Sequence, residues 1–282
     1  MKDLIFKIAQ YFSVLLVLLV VGGIFFTLFS GSIPAFKQFG VWHFITSDAW
    51  YGDEERYGAL AFIAGTFATA TLALAVSIPF SLSLSLFCAE LYKGKKIASY
   101  TGYVVNLLAN IPSIILGVWG YYSLRPLLVS LNFDHFGYGI FTSSLILAMM
   151  IIPYSSSMIM NFIARVPRQL KESAYSLGAT RFEVIRLVGL PNAMPGIYKA
   201  FIISYVKVLG ECMIVIMLIG NTNHLPEGIT GTGNTMASII FNQFGVTSDI
   251  KLSSLLAIAL LLFLVTALFN LWAGSLGRRS AA

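Results

Sequence analysis

Long apolar runs occupy most of this chain, and they constrain its fold more than any other feature. A helix needs about 20 apolar residues to cross the hydrocarbon core of a bilayer, and each run reaches that length. Hydrophobic residues make up 57% of the chain and charged residues 11%, against about 25% charged in soluble domains. We predict an all-α integral membrane protein with six transmembrane helices, at about 10–30, 60–90, 98–124, 140–163, 198–220 and 252–275.

The first run is predicted to be a retained helix rather than a cleaved signal peptide. It is longer than the 7–15 apolar residues of a signal-peptide core, and no small-residue cleavage site follows it. Cytoplasmic connections are enriched in Lys and Arg, so both termini are predicted to be cytoplasmic. The basic residues on that side are Lys2, Lys7, Lys93, Lys95, Lys96, Arg165, Arg168, Lys171, Arg181, Arg186, Lys199, Arg278 and Arg279, against Lys37, Arg56, Arg125 and Lys251 on the other.

Three prolines lie within the predicted spans, at positions 79, 112 and 153. Proline removes a backbone hydrogen bond and bends a helix, so each is expected to bend its span. Bent helices are suited to line a path that opens on alternate sides of a membrane. Proline is also ordinary in membrane helices, where it can serve packing alone.

A polar, helix-forming segment separates two apolar runs at about 165–195. Gly178 suits the end of a helix, because glycine readily adopts a positive φ. Thr180 followed by Glu183 is the pattern of a capping box, in which a hydroxyl and a carboxylate each bond a backbone N–H. We predict two short helices, the first ending at Gly178 and the second running to about Leu190. Helices this short are marginal alone in water, so their apolar residues are expected to bury against a partner.

The same segment carries a motif of fixed spacing that resembles the EAA loop of ABC importer permeases: Glu172-x-Ala174-x3-Gly178, then nine residues, then Val188-x-Leu190-Pro191. Ser173 and Val188 replace the usual Ala and Ile, both mild changes in size. The resemblance implies a coupling helix that sits in a cleft of an ATPase subunit. The residues implied in coupling are Glu172, Ala174, Gly178, Ala179, Thr180, Phe182, Leu190 and Pro191. The alternative is a plain amphipathic connector between membrane helices.

Two charged residues, Lys207 and Glu211, lie inside the fifth apolar run. Counted from Lys199, they fall about 12 and 18 Å along a helix, near mid-membrane. Their i, i+4 spacing predicts one helix face, where each neutralises the other, because an isolated charge in hydrocarbon costs several kcal/mol. We interpret them either as part of a translocation path, with Lys207 attracting an anion, or as a structural ion pair. Arg125, at the outer end of the third run, is a further path candidate that can also snorkel to the interface.

Further segments are similar to phosphate permeases of the Pst system, PstC type: Tyr57-Gly-Ala-Leu-Ala-Phe-Ile-Ala-Gly-Thr66, Ile111-Pro-Ser-Ile-Ile-Leu-Gly-Val-Trp-Gly120 and Leu209-Gly-Glu-Cys-Met213. The family usually has Arg where this chain has Lys207, which keeps the charge but loses the planar fork suited to phosphate oxygens. The resemblance implies a type I ABC importer permease (MetI-like) fold in a bacterial or archaeal cell membrane. It also implies the partners: a PstA-like second permease, two PstB-like ATPase subunits that bind ATP and Mg²⁺, and a PstS-like extracytoplasmic phosphate-binding protein.

The predicted function is the permease subunit of an ATP-driven phosphate importer, not an enzyme. The chain has no G-x4-G-K-[ST] phosphate loop for hydrolysing ATP. Cys88 and Cys212 lie apart in apolar runs, so no metal or disulfide is expected in this chain. The resemblance implies no cofactor in this chain, because the partner ATPase binds ATP and Mg²⁺. The charge of +6 is not gathered on one face, which argues against nucleic acid. We divide the chain into a first helix with its outer loop, 1–58, and a five-helix core, 59–282, that includes the coupling loop at 165–195.

Other functions are compatible with parts of the sequence. The cargo can be another oxyanion, such as molybdate or sulfate, or the chain can be the PstA-type partner, although the segments beginning at Tyr57 and Ile111 favour PstC. A channel or an ATP-independent secondary transporter would use Lys207 and Glu211, but it needs no docking loop. An intramembrane enzyme is disfavoured, because the histidines lie in outer loops away from the serines at 155–157.

Overall fold

The computed structural model describes residues 2–52, 54–132, 136–245 and 249–279, with side chains described between residues 6 and 275. The side chains of Lys2, Arg278 and Arg279, which entered the prediction of orientation, lie outside that description. Helices dominate because a chain in hydrocarbon must satisfy its backbone groups internally. The elements are α1 Lys2–Phe39, α2 Val41–Thr46, β1 Trp50–Tyr51, β2 Arg56–Tyr57, α3 Leu60–Leu86, α4 Lys96–Ala109, α5 Ser113–Trp119, α6 Arg125–Ser130, α7 Ile140–Ala164, α8 Arg168–Ser176, α9 Arg181–Glu183, α10 Leu190–Leu209, α11 Met213–Leu218, α12 Met236–Gln243 and α13 Asp249–Arg279, with π-helical turns at Phe87–Leu91, Gly120–Leu124 and Val184–Gly189.

Several of these helices are long and apolar enough to cross a membrane. Within the described residues there are four, at Phe6–Phe39, Leu60–Leu91, Ile140–Ala164 and Asp249–Ser275. A bent pair, Lys96–Ala109 and Ser113–Ser130, makes a fifth span if it is counted as one. The all-α membrane architecture is therefore confirmed, whereas continuous helices account for fewer than the six predicted spans.

The sharpest bend lies at Pro112, where the two halves of the third run meet at 91°. Pro112 has an extended ψ of 133° and stands immediately before α5. Its ring disfavours helical backbone at the preceding residue, which ends α4. Pro79 and Pro153 lie inside α3 and α7, which continue past them. Of the predicted proline bends, the one at Pro112 is thus a complete break.

The fifth predicted span, 198–220, is not one helix. Helix α10 ends at Leu209, and the chain leaves the helix at Gly210 before α11 begins at Met213. The prediction that Lys207 and Glu211 share one helix face is therefore wrong, because Glu211 lies in the break.

The start of α10 also differs from the prediction. The second short helix does not end at Leu190, because α9 continues through the π-helical turn directly into α10. Pro191 lies in the first turn of α10. The helix continues past it from the π-helical turn, although proline has no N–H to donate to a carbonyl of the preceding turn.

Helices α3 and α7 pack closely through small hydroxyl side chains. The hydroxyls of Ser81 and Ser155 lie 2.6 Å apart, and Ser85 donates to the carbonyl of Ser156 at 3.1 Å. All four serines are buried. Small polar residues let membrane helices approach and bond to each other, so this pair forms a firm centre against which α10 also packs.

The N-terminal part of the chain is tied to the bundle at two places. Trp50 packs edge-on against Tyr57 and Phe62, with ring centroids 4.9 Å apart in both pairs, and its indole N–H donates to Gln243 at 3.0 Å. Helix α1 is held to α13 by Ser253, which donates to the carbonyl of Gly31 at 2.7 Å. The first helix and its loop therefore rest on the same core as the remaining spans.

Candidate functional site

The segment at 165–195 forms a helical turn that is closed by local hydrogen bonds. Helix α8 ends at Ser176, and Gly178 adopts a φ of 84°. The N–H of Gly178 donates to Tyr175 at 2.9 Å, and that of Ala179 donates to Ala174 at 3.1 Å. These bonds satisfy carbonyls that the end of the helix leaves free, so the predicted stop at Gly178 is confirmed.

The next helix begins with the predicted capping box. The backbone N–H of Thr180 donates to the Glu183 carboxylate at 2.7 Å, and the N–H of Glu183 donates to the Thr180 hydroxyl at 3.4 Å. The backbone hydrogen bond from Thr180, and after it the bond from its hydroxyl, lowers the pKa of Glu183. The carboxylate is thus held ionised at the start of the helix, where negative charge is favourable.

A contact that the sequence did not reveal anchors this segment to the membrane bundle. Lys171 on α8 forms an ion pair with Glu90 in the π-helical turn after α3, and the two side chains are only 14% and 11% exposed. Arg181 donates to the backbone carbonyls of Glu90, at 2.6 Å, and of Leu91. The sequence signal was the carboxylate of Glu90 at the end of an apolar run, where a charge requires a partner.

The opposite surface of the segment is open. The predicted coupling residues Glu172, Gly178, Thr180, Phe182 and Pro191 are exposed, and Ala174, Ala179 and Leu190 are partly buried. Leu177 and Phe182 are 89% and 68% exposed, while the following Val184 and Ile185 are buried. The segment is therefore anchored on one side and presents apolar side chains at its turn on the other, as a contact surface for another protein does.

Inside the bundle, Lys207 and Glu211 are stabilised separately and not by each other. Among the described side chains, no ion pair joins them. The Lys207 ammonium lies 4.2 Å from the ring centroid of Tyr154, and Lys207 is in the last turn of α10, where a helix favours positive charge. The Glu211 carboxylate accepts the backbone N–H of Met213 at 3.1 Å, across the helix break.

Arg125 occupies a different site, among aromatic residues. Its guanidinium lies 4.0 Å from the ring centroid of Tyr138 and 5.1 Å from that of Tyr121, and Nε donates to the carbonyl of Phe136 at 2.8 Å. Tyr121, Phe136 and Tyr138 line an open cavity of about 710 Å³. The structure thus brings Lys207 and Glu211 to one helix break and leaves Arg125 at the edge of a separate cavity.

Tyr154 is the residue at this site that sequence reasoning missed. It lies on α7 immediately after Pro153, in an apolar run where an aromatic side chain is expected to serve only packing. Its polar hydroxyl within an apolar run was the available signal. The site offers an ammonium and hydroxyl groups, which suit an anion, and no cluster of three metal-ligating side chains occurs in the described part of the chain.

Comparisons with known sequences identify relatives along nearly the whole chain. The family described as the binding-protein-dependent transport system inner membrane component matches residues 81–281. The phosphate transport system permease protein PstC of Mesorhizobium japonicum is 35% identical and covers 95% of this chain and 88% of its own. The PstC of Pasteurella multocida is also 35% identical, covering 94% of this chain and 88% of its own.

Solved structures share the fold at low sequence identity. A chain of a bacterial ABC transporter that imports the polysaccharide alginate aligns with a TM-score of 0.59 at 20% identity, covering 98% of both chains. A chain of an inward-facing MetNI methionine ABC transporter aligns with a TM-score of 0.56 at 22% identity, covering 79% of this chain and 94% of that one. The predicted ABC importer permease fold is therefore confirmed.

Proposed function

Because the chain belongs to the family of binding-protein-dependent transport system inner membrane components, and within it to the PstC permeases, we propose that it is the membrane subunit of an ATP-driven phosphate importer. The observation that carries this proposal is the 35% identity to a phosphate permease over 95% of the chain. The subunit provides the translocation path and takes its energy from an ATPase.

The 165–195 segment is the proposed docking surface for that ATPase. Leu177 and Phe182 are exposed at the turn, where they can enter a cleft of a soluble subunit. The ion pair of Lys171 with Glu90 ties this surface to the end of α3, so a movement of the ATPase is passed to the bundle. The continuous helix from Thr180 into α10 carries the same movement toward Lys207.

The path is proposed to include Lys207, Glu211 and Arg125. Lys207 offers an ammonium with no carboxylate partner among the described residues, so its charge is available to an anion. Glu211 lies at the same helix break and limits how tightly an anion is held, which favours release. Arg125 stands at the separate cavity and is proposed to attract the anion before it reaches Lys207.

We propose a PstA-like permease as the second membrane subunit and a PstS-like binding protein as the source of phosphate. Two PstB-like subunits bind ATP and Mg²⁺, so the chain itself needs no cofactor. With both termini in the cytoplasm, the docking surface faces the ATP.

Reconstitution in liposomes tests the proposal. The chain is assembled with its candidate partners, and ATP hydrolysis is measured together with uptake of labelled phosphate, sulfate or molybdate from the binding protein. We expect phosphate uptake that requires ATP. Uptake of only another oxyanion would overturn the cargo, and uptake without ATP would overturn the importer.

A surface variant tests the docking assignment in the same assay. Phe182→Ala removes a ring that is 68% exposed at the turn, and Phe26→Ala removes a ring that is 70% exposed on α1. We expect the first to lower binding of the ATPase subunit and the second to leave it unchanged. Equal binding by both variants would contradict the assignment of this surface.

A further inference from the structure

Four polar side chains form a row across three helices: Asn106 on α4, Ser157 and Tyr154 on α7, and Lys207 on α10. The Ser157 hydroxyl donates to Oδ1 of Asn106 at 3.0 Å, and the Lys207 ammonium lies 4.2 Å from the ring centroid of Tyr154. Tyr154 and Ser157 are three residues apart, so they lie on one face of α7. We call these four residues the polar row.

The members of the polar row on α4 and α7 lie far from the helix ends that adjoin the 165–195 segment. At 1.5 Å per residue, Asn106 is about 15 Å along α4 from its start, and Tyr154 is about 15 Å along α7 from its end at Ala164. Both distances are measured from the end of the bundle that carries the 165–195 segment. They correspond to about the middle of a hydrocarbon core of roughly 30 Å.

The row has hydrogen-bonding groups that are not used within the described chain. Asn106 is exposed, and its amide nitrogen has no hydrogen-bond acceptor among the described residues. The hydroxyl of Tyr154 and the ammonium of Lys207 likewise form no hydrogen bond there. Exposing such groups to hydrocarbon without hydrogen-bond partners is strongly unfavourable, so the row faces either water or another protein.

The chemistry of the free groups selects the ligand. An amide nitrogen, a phenol and an ammonium are all donors, and no carboxylate belongs to the row. Oxyanions accept several hydrogen bonds and are attracted by the ammonium, so they match this set of donors. A cation would find no charged acceptor among these four side chains.

We propose that Asn106 is a specificity-determining residue of the translocation path, whose amide nitrogen receives a tetrahedral oxyanion from Lys207, and that Ser157 positions this amide. The inference rests on the proposed transport function and adds a residue from α4 to it. Because Ser157 holds Oδ1, the nitrogen of Asn106 is directed away from Ser157 and is free to donate.

The substitution Asn106→Asp tests this with little change of shape. It keeps an oxygen for Ser157 to bond and replaces the nitrogen donor with a second, negatively charged oxygen. In the assembled transporter in liposomes, we expect at least a tenfold lower rate of phosphate uptake. Asn270→Asp is the matched control, because Asn270 is an exposed amide on α13. We expect it to retain the wild-type rate.

A pH series separates repulsion of the anion from damage to the fold. Uptake by Asn106→Asp, relative to wild type at each pH, is expected to recover as the pH falls and the new carboxylate is protonated. A relative rate that stays low at every pH would overturn the proposal, as would a wild-type rate in this variant. Ser157→Ala is expected to raise the phosphate concentration for half-maximal uptake more than it lowers the maximal rate.

Aqueous access is measured separately with Asn106→Cys, in a chain whose Cys88 and Cys212 are replaced by Ala. A small water-soluble thiol reagent is expected to label it in the assembled complex, and phosphate to slow the labelling. If the site is not labelled, the row is covered by the second permease subunit and the proposal is wrong. If the wild-type complex carries no phosphate, the proposed function fails, whereas unchanged variants in an active complex refute this inference alone.

Discussion

The ion pair between Glu90 and Lys171 is predicted to hold the 165–195 segment against the end of α3. The substitution Glu90→Gln keeps the size of the side chain and removes its charge. It also leaves in place the two backbone carbonyls that accept from Arg181. The segment is therefore expected to remain folded but to detach more often.

The size of the effect follows from the burial of the pair. The side chains are 14% and 11% exposed. Removing one partner costs about 3–5 kcal/mol in a fully buried pair and about 0–1 kcal/mol at the surface. We expect about 2–3 kcal/mol here, because both groups are mostly but not completely removed from water. At 1.4 kcal/mol per factor of ten, the equilibrium for opening rises about 30- to 140-fold.

Hydrogen exchange of the α8 amides, followed by mass spectrometry, measures this opening directly. Arg168→Gln is the matched control on the same helix. It removes the ion pair between Arg168 and Glu172, whose side chains are 89% and 57% exposed, respectively. Exposed pairs contribute little, so exchange in this control should rise less than about fivefold. Exchanging the two charges, with Glu90→Lys and Lys171→Glu together, should recover part of the protection.

If the α8 amides of Glu90→Gln exchange no faster than those of Arg168→Gln, the buried ion pair does not hold the segment. The same conclusion follows if the variant with both charges swapped shows amide exchange as fast as Glu90→Gln alone. In the reconstituted transporter, Glu90→Gln is expected to hydrolyse more ATP per phosphate imported, because its docking surface is less firmly tied to the bundle.

Gly196→Ala is expected to lower the melting temperature in detergent, because a Cβ at this position would lie 2.4 Å from the ring of Phe162, and such overpacking costs about 1–3 kcal/mol. Acidification is expected to weaken the start of α9, since hydrogen bonds from Thr180 lower the pKa of Glu183. That stabilisation is present above the ordinary pKa of 4.5 and is lost as the pH falls through the lowered value. Amide protection at the start of α9, corrected for the intrinsic exchange rate, measures it.

Each of these two predictions has a control within the chain. A Cβ at Gly102 would have no neighbouring heavy atom within 4 Å, so Gly102→Ala should not lower the melting temperature. Equal losses in both glycine variants would contradict the role of Phe162. Glu183→Gln should remove the pH dependence near the start of α9, and an unchanged pH profile in that variant would show that another group titrates.

Local features of this protein follow directly from its sequence. The apolar runs predict membrane helices because hydrocarbon accepts few polar groups, and the stop at Gly178 and the cap at Thr180 depend on residues within one turn. The resemblance of the motif from Glu172 to Pro191 indicated the family for the same reason, since its spacing is contained in a short stretch.

The tertiary structure decided the rest. Whether 198–220 forms one helix depends on how the bundle packs around Gly210, and apolar composition alone does not reveal that break. Lys207 and Glu211 are close in sequence yet are stabilised by different groups, because a ring from α7 lies beside the lysine and the carboxylate bonds to the helix after the break. The partner of Lys171 is 81 residues away in sequence. Such contacts arise when helices pack, so no periodicity along the chain records them, whereas caps and apolar runs are set by near neighbours.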